Sequence, residues 1–365
     1  MNRRHFLTAA AVGSAAALAG CNKEQTTTAS SACQPAEVIK WKMVTTWPKN
    51  FPGLGTGAEN LAKLIHEMSG GRIEVKVYAA GELVPALEVF DAVARGTAQI
   101  GHGGAYYWKA KHEATQFFTS VPFGFTAQEM NAWLFYGDGL ALWQEVYAPF
   151  GLVPMPCGNT GVQMAGWFNR EINSLADLKG LKMRIPGLGG EVLRRAGGTP
   201  VNLPGGELFT ALQSGTIDAT EWVGPYNDLA FGLYKAARYY YTPGWHEPGS
   251  TMEAIFNKQA LESLPKDLQS IVLNACKVVN ADMLAEFMAR NHQALETLKR
   301  EHGVQVRTLP DDVIAELKKL SAEVLAEVAQ HDPLTKKVYD SFIAFRDKVK
   351  PWTEVSEVAF LKARG

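Results

Sequence analysis

The chain has 365 residues, 47% of them hydrophobic, 20% charged and 10% aromatic, with 36 basic side chains against 37 acidic ones. This composition excludes a collagen, a disordered tail and a disulfide-stapled miniprotein, and the length suggests about two domains. Balanced charge argues against nucleic acid, which needs a basic stripe. A charged ligand must therefore be recognised by local residues.

Residues 1–20 carry Arg3 and Arg4, no acid, and a short apolar run from Phe6 to Leu18. The run is too short for a spanning helix, which needs about 20 apolar residues. It fits an export signal. Arg3-Arg-His-Phe-Leu7 resembles a twin-arginine signal. Leu18-Ala-Gly-Cys21 resembles a lipobox, in which Cys21 would take the lipid and become the first mature residue. Residues 22–36 are small and polar and read as a flexible tether. With Cys21 set aside, Cys33, Cys157 and Cys276 form neither a disulfide framework nor a metal spacing.

Beyond the tether, residues 38–45 alternate as a strand and a Gly/Pro-rich turn follows. Residues 58–69 place Leu61, Leu64, Ile65 and Met68 on one helical face. Strands are expected at 72–78 and 98–101, with a helix at 83–95 between them. This β-α-β-α-β opening implies a mostly parallel sheet under helices. A helix is expected at 127–147, then strands at 152–156 and 162–168. A second α/β unit follows, with strands at 181–185, near Val201 and at 217–222, and helices at 189–196 and 207–214. Residues 250–257 read as a strand returning to the first unit. Residues 266–302 read as one helix, roughly 55 Å long. A brief strand at 305–307 precedes two or three closing helices.

Gly53-Leu-Gly-Thr-Gly-Ala58 matches the dinucleotide fingerprint G-x-G-x-x-A, with Glu74 about 20 residues on. An exported nucleotide-cofactor oxidoreductase using this turn is the alternative reading. A Gly-rich βα turn also arises wherever backbones approach closely. Serine-hydrolase, zincin and P-loop motifs are missing, and the eight histidines show no metal-pair spacing. The chain reads as a non-enzyme. Arg184 stands near the end of a strand, with glycines and a helix start just after it. An Arg there can grip a carboxylate bidentately, or it can be a solvated strand residue. Glu221 and Trp222 come at the carboxyl end of the next strand, where ligands of open α/β sheets bind.

These segments carry a resemblance. Residues 178–187, Gly197-Gly-Thr-Pro200, and 207–221 with the core Ala211-Leu-Gln-Ser-Gly-Thr-Ile-Asp218 resemble the solute-binding subunit of a TRAP (tripartite ATP-independent periplasmic) transporter. Trp41-Lys-Met-Val-Thr-Thr-Trp-Pro48 and Gly104-Ala-Tyr-Tyr-Trp108 fit as well. The resemblance spans residues 38–350 and is to the branch that binds 2-oxo acids such as pyruvate with a metal ion. It implies an α/β two-domain periplasmic binding protein fold with hinge-linked strands, a long spanning helix and C-terminal helices. It also implies that Arg184 holds the ligand carboxylate. Gln163 and Glu221 match side-chain ligands of a cation, sodium ahead of calcium, and Trp222 matches a backbone carbonyl ligand. Hard oxygen donors suit those ions. Tyr106, Tyr107 and Trp222 are expected as walls, although the two tyrosines could equally be core aromatics. Asn202 is a further polar candidate.

The expected organisation is an export signal at 1–20 and a tether at 21–36. An N-terminal domain follows mainly at 37–157 and a second mainly at 158–249. The return strand and spanning helix take 250–309, and the C-terminal helices 310–365. The expected function is periplasmic delivery of a small 2-oxo or 2-hydroxy monocarboxylate to a membrane permease, without a reaction. A lipid on Cys21 would be the only membrane contact. The branch implies a homodimer through the C-terminal helices. Residues 310–348 carry apolar positions at helical spacing that must pack on a partner or on the chain itself (Ile314, Leu317, Leu320, Val324, Leu325, Val328, Val338, Phe342 and Phe345).

Overall fold

The computed structural model describes residues 37–365, so Cys21, the export signal and the tether lie outside the described residues. The chain opens with β1 (Ile39–Thr45), α1 (Leu54–Met68), β2 (Ile73–Tyr78), α2 (Val89–Ala94) and β3 (Ile100–Gly103). Strand β1 lies between β2 and β3, parallel to both. α1 starts four residues before the expected point, so the fingerprint glycines belong to its first turn. A Cβ on Gly53 would lie 2.8 Å from the ring of Phe287, and one on Gly57 2.5 Å from Met283. The glycines let a helix pack closely. The face a dinucleotide would approach is covered by side chains, and this overturns the oxidoreductase alternative.

α3 (Ala127–Tyr136) and α4 (Gly139–Tyr147) replace the single helix expected over 127–147. The break falls at Gly137, whose backbone is extended. A Cβ on Gly139 would press 2.7 Å from the indole of Trp133. β4 (Leu152–Asn159) then pairs with the returning β10 (Thr251–Asn257), which also pairs with β3, antiparallel in both cases. The first sheet is therefore ordered β2-β1-β3-β10-β4. It is parallel only in its β2-β1-β3 part.

The second sheet contains β5 (Gly166–Phe168), β6 (Lys182–Arg184), β7 (Thr199–Val201), β8 (Ala219–Thr220), β9 (Tyr239–Thr242) and β11 (Gln305–Thr308), ordered β11-β9-β5-β8-β6-β7. Around it lie α5 (Gly187–Arg195), α6 (Leu208–Gln213) and α7 (Pro225–Phe231). Two short segments cross between the sheets, one from β4 to β5 and the other from β9 to β10, and the helical stretch from β10 to β11 makes a third crossing. The two short segments bond to each other, Thr160 N donating to Ser250 O at 3.0 Å and Gln163 N to Glu247 O at 3.1 Å. A Cβ on Gly244 would sit 2.1 Å from the Gln163 carbonyl oxygen, so only glycine permits this approach.

After α8 (Lys258–Glu262), α9 (Lys266–Arg300) is the long helix, 35 residues and roughly 50 Å. It braces both sheets. Its Asn280 accepts from Gly158 N on β4 at 3.2 Å, and its Glu286 and Asn291 bond Tyr226 on α7, both at 2.9 Å. The chain closes with α10 (Asp311–Val328), α11 (Pro333–Thr353) and α12 (Ala359–Arg364). Leu317, Leu320, Val324 and Leu325 are buried within this chain, as are Val338 and Phe342. Phe342 packs on Phe117, Phe125 and Trp133. Most of the apolar face expected to seek a partner is thus covered by the chain itself. In the C-terminal helices the exposed large apolar residues lie further on, at Trp352, Val355, Val358, Phe360 and Leu361. Among the described residues no helix is long and apolar enough to cross a membrane.

Candidate binding site

The site lies where the crossing segments meet the carboxyl ends of β6 and β8. Arg184 is the last residue of β6 and is fully buried. Its Nε donates to the Leu203 carbonyl at 3.1 Å and its Nη2 to the Tyr107 hydroxyl at 3.3 Å. Nη1 donates to a carboxylate oxygen of Glu221, which stands just beyond β8 and is also fully buried. Burial disfavours the charge on Arg184, but the Glu221 carboxylate and the two tyrosines more than compensate and hold its pKa above the ordinary value. The guanidinium also lies 5.1 Å from the Trp222 ring centroid, a cation–π contact.

Gln163 comes from the first crossing segment. Its Nε2 donates to Thr160 Oγ1 at 3.0 Å, while its buried Oε1 has no partner among the described residues. The Trp222 indole N–H is likewise buried and unpaired. Buried polar atoms are almost always bonded, so these two mark a place for a further group. The Tyr106 and Tyr107 rings pack at 4.6 Å between centroids, tilted by 31°. Burial raises both phenol pKa values. Trp47, Leu54, Tyr106, Tyr107, Gln163, Trp222, Val223 and Met252 enclose a cavity of about 10 Å³. The space among these side chains is about that of one water molecule, so a small acid fits only if the surrounding segments part.

Arg184, Gln163, Glu221, Trp222, Tyr106 and Tyr107 therefore share one buried cluster. Asn202, after β7, is exposed and does not line the cavity. Sequence reasoning missed His246 and Glu247 on the second crossing segment. His246 Nε2 lies 3.4 Å from Glu221 Oε2. Ligand atoms of Glu221, His246 and Glu247 lie within 4.8 Å of one another, all buried. Burial, then the charge of Glu221, pushes the Glu247 carboxyl up to about 7. The Gly244-Trp-His-Glu-Pro248 cluster was the available signal, but it has no periodicity to place it. Carboxylates together with a free amide oxygen form a hard donor set suited to sodium or calcium.

Comparison with known proteins defines the class. Residues 43–332 match the DctP family, bacterial extracellular solute-binding protein family 7. The chain is 45% identical over 361 residues to a monocarboxylate 2-oxoacid-binding periplasmic protein of Nostoc sp., covering 99% of this chain and 98% of that one. A TRAP periplasmic solute-binding protein of Pseudoalteromonas atlantica, solved with bound sodium and pyruvate, is 45% identical with a TM-score of 0.87, covering 89% and 99% of the two chains. A TRAP transporter solute-binding protein of Bordetella bronchiseptica, a mixed-occupancy dimer with copurified calcium and picolinate, is 38% identical with a TM-score of 0.88, covering 90% and 97%. The chain belongs to the DctP family of TRAP transporter solute-binding proteins. It is a periplasmic solute-binding transport protein and not an enzyme.

Proposed function

We propose that this protein binds a pyruvate-like 2-oxo or 2-hydroxy monocarboxylate together with a cation and hands it to a TRAP membrane permease. The carrying observation is the buried Arg184 beside Glu221, with the unpaired Gln163 oxygen in a cavity also lined by Trp222 and Tyr107, both of which contact Arg184. Pyruvate and picolinate, the ligands of two relatives, share one chemistry. Each sets a neutral donor atom next to a carboxylate, which together chelate a cation. Here Arg184 takes the carboxylate. Gln163 Oε1, a Glu221 oxygen and the Trp222 carbonyl hold the cation, sodium ahead of calcium. The bound ion supplies positive charge that fixes the oxo or hydroxy oxygen. Trp222, Tyr106 and Tyr107 form the walls. The two sheets belong to two lobes that part about the crossing segments.

The chain is anchored through a lipid on Cys21 after twin-arginine export. It forms a homodimer, for which the exposed Trp352, Val355, Phe360 and Leu361 are the contact surface. Native mass spectrometry of protein purified without added ligand tests the binding reading. A species heavier by one small monocarboxylic acid plus sodium or calcium is expected. A purified protein that takes up neither pyruvate nor a related acid on addition contradicts it. Intact mass of the membrane-extracted protein tests the lipid at Cys21.

A further inference from the structure

Trp222 and Val223 share one peptide unit, and it is trans, since the only cis bond among the described residues is Thr242–Pro243. In a trans peptide the C=O and N–H point in opposite directions. Asp228, in the first turn of α7, accepts the Val223 N–H on Oδ1 at 3.3 Å. Its Oδ2 accepts from the Trp167 indole at 3.0 Å and the Tyr240 hydroxyl at 2.6 Å. Trp167 lies on β5 and Tyr240 on β9, so the carboxylate is fixed to the second sheet. The Val223 carbonyl, in the next peptide unit, accepts from Met164 N at 3.0 Å, which fixes the chain just after it. No described donor reaches the Trp222 carbonyl oxygen. A buried carboxylate on the N–H orients the peptide and also polarises it, placing more negative charge on that free oxygen. A neutral acceptor would satisfy the N–H at a far smaller desolvation penalty.

We propose that Asp228 is a positioning residue for cation binding: by holding the Val223 N–H it aims the Trp222 carbonyl at the cation and makes it a stronger ligand. This rests on the reading above that the Trp222 carbonyl is a ligand. Partners one bond removed from a metal commonly change its affinity 10–100-fold.

The sequence offers a direct probe, because Trp is followed by Val only at Trp222-Val223. Protein carrying 13C-carbonyl Trp and 15N Val gives a single coupled Trp222–Val223 signal. Spectra are recorded at pH 8, above the value of about 7 to which burial raises the Asp228 carboxyl, while sodium or calcium is titrated in the presence of pyruvate. In the wild type the Val223 amide proton is expected downfield, and the Trp222 carbonyl shifts as the cation binds. Asp228→Asn should move the amide proton upfield and raise the cation midpoint about tenfold. Asp228→Glu, which keeps the charge, should recover part of this. Tyr240→Phe lowers the melting temperature through the same carboxylate but should leave the midpoint in place. An unchanged midpoint in Asp228→Asn overturns the proposal. If Asp228→Asn does not fold, Asp228→Glu is compared with Tyr240→Phe, and equal midpoints overturn it. A wild-type Trp222 carbonyl that ignores the cation overturns the ligand reading, and the proposal with it.

Discussion

A guanidinium taken out of water needs a carboxylate beside it, and leaving either partner alone in the interior costs roughly 3–5 kcal/mol. Arg184 and Glu221 meet that condition in a site with no exposure. Arg184→Lys keeps the charge but loses the planar fork that donates to Leu203, Tyr107 and Glu221 at once. Calorimetry should show pyruvate affinity weakened by roughly 2–5 kcal/mol, and wild-type affinity would remove Arg184 from the site. Glu221→Gln should blunt the response to sodium or calcium. It should also lower the melting temperature, because Arg184 is left unpaired. A variant as cation-sensitive and as stable as wild type would show that Glu221 holds neither the ion nor the Arg. Arg184, Glu221 and Trp222 stood out in the sequence as strand-end residues and Gln163 only through the family resemblance, and the fold brings all four into one cluster. His246 and Glu247 did not stand out, since only the tertiary fold brings the segment between β9 and β10 against Glu221 at the end of β8.

At the scale of elements, the crossing segments and β10 carry the most exacting contacts. Gly244→Ala forces a Cβ onto the Gln163 backbone. Overpacking of this kind costs about 1–3 kcal/mol, and denaturant unfolding should show it together with weaker ligand binding. Unchanged stability would mean that the two segments do not approach as described. Within β10, Glu253 is buried and accepts from the Trp108 indole and the Tyr147 hydroxyl. Burial pushes its carboxyl up to about 7, above its ordinary value of 4.5. Between those two pH values the folded state holds a proton that the unfolded state has released. Its contribution to stability therefore falls as pH rises through the window, by up to about 3 kcal/mol. Burial raises Asp228 and Glu247 in the same direction. Glu253→Gln should flatten the decline between pH 4.5 and 7 in thermal melts, and an unaltered slope would show that Glu253 titrates normally.

Element boundaries were legible where periodicity was strong, as in α9, expected at 266–302 and found at 266–300. They failed where tertiary contacts decide. β9, Tyr239–Thr242, shows no alternation because its central residues Tyr240 and Tyr241 are both buried. The split between α3 and α4 follows from a glycine pressed on Trp133, which no propensity encodes.

For the whole molecule, a cavity no larger than one water molecule beneath the helix that braces both sheets means that ligand exchange requires the surrounding segments to part. The proposed dimer rests on the exposed apolar residues from Trp352 onward. Removal of residues 351–365 should turn a dimer into a monomer in light scattering, and a monomeric full-length protein at micromolar concentration would contradict the dimer. The central claim is that acid and cation bind together. Isothermal titration of pyruvate into ligand-free protein tests it most directly, first with sodium or calcium present, then with choline as the only cation and a chelator added. Saturable binding is expected in the first buffer and binding at least about tenfold weaker in the second. Equal affinity in both buffers, or no pyruvate binding in either, would contradict it.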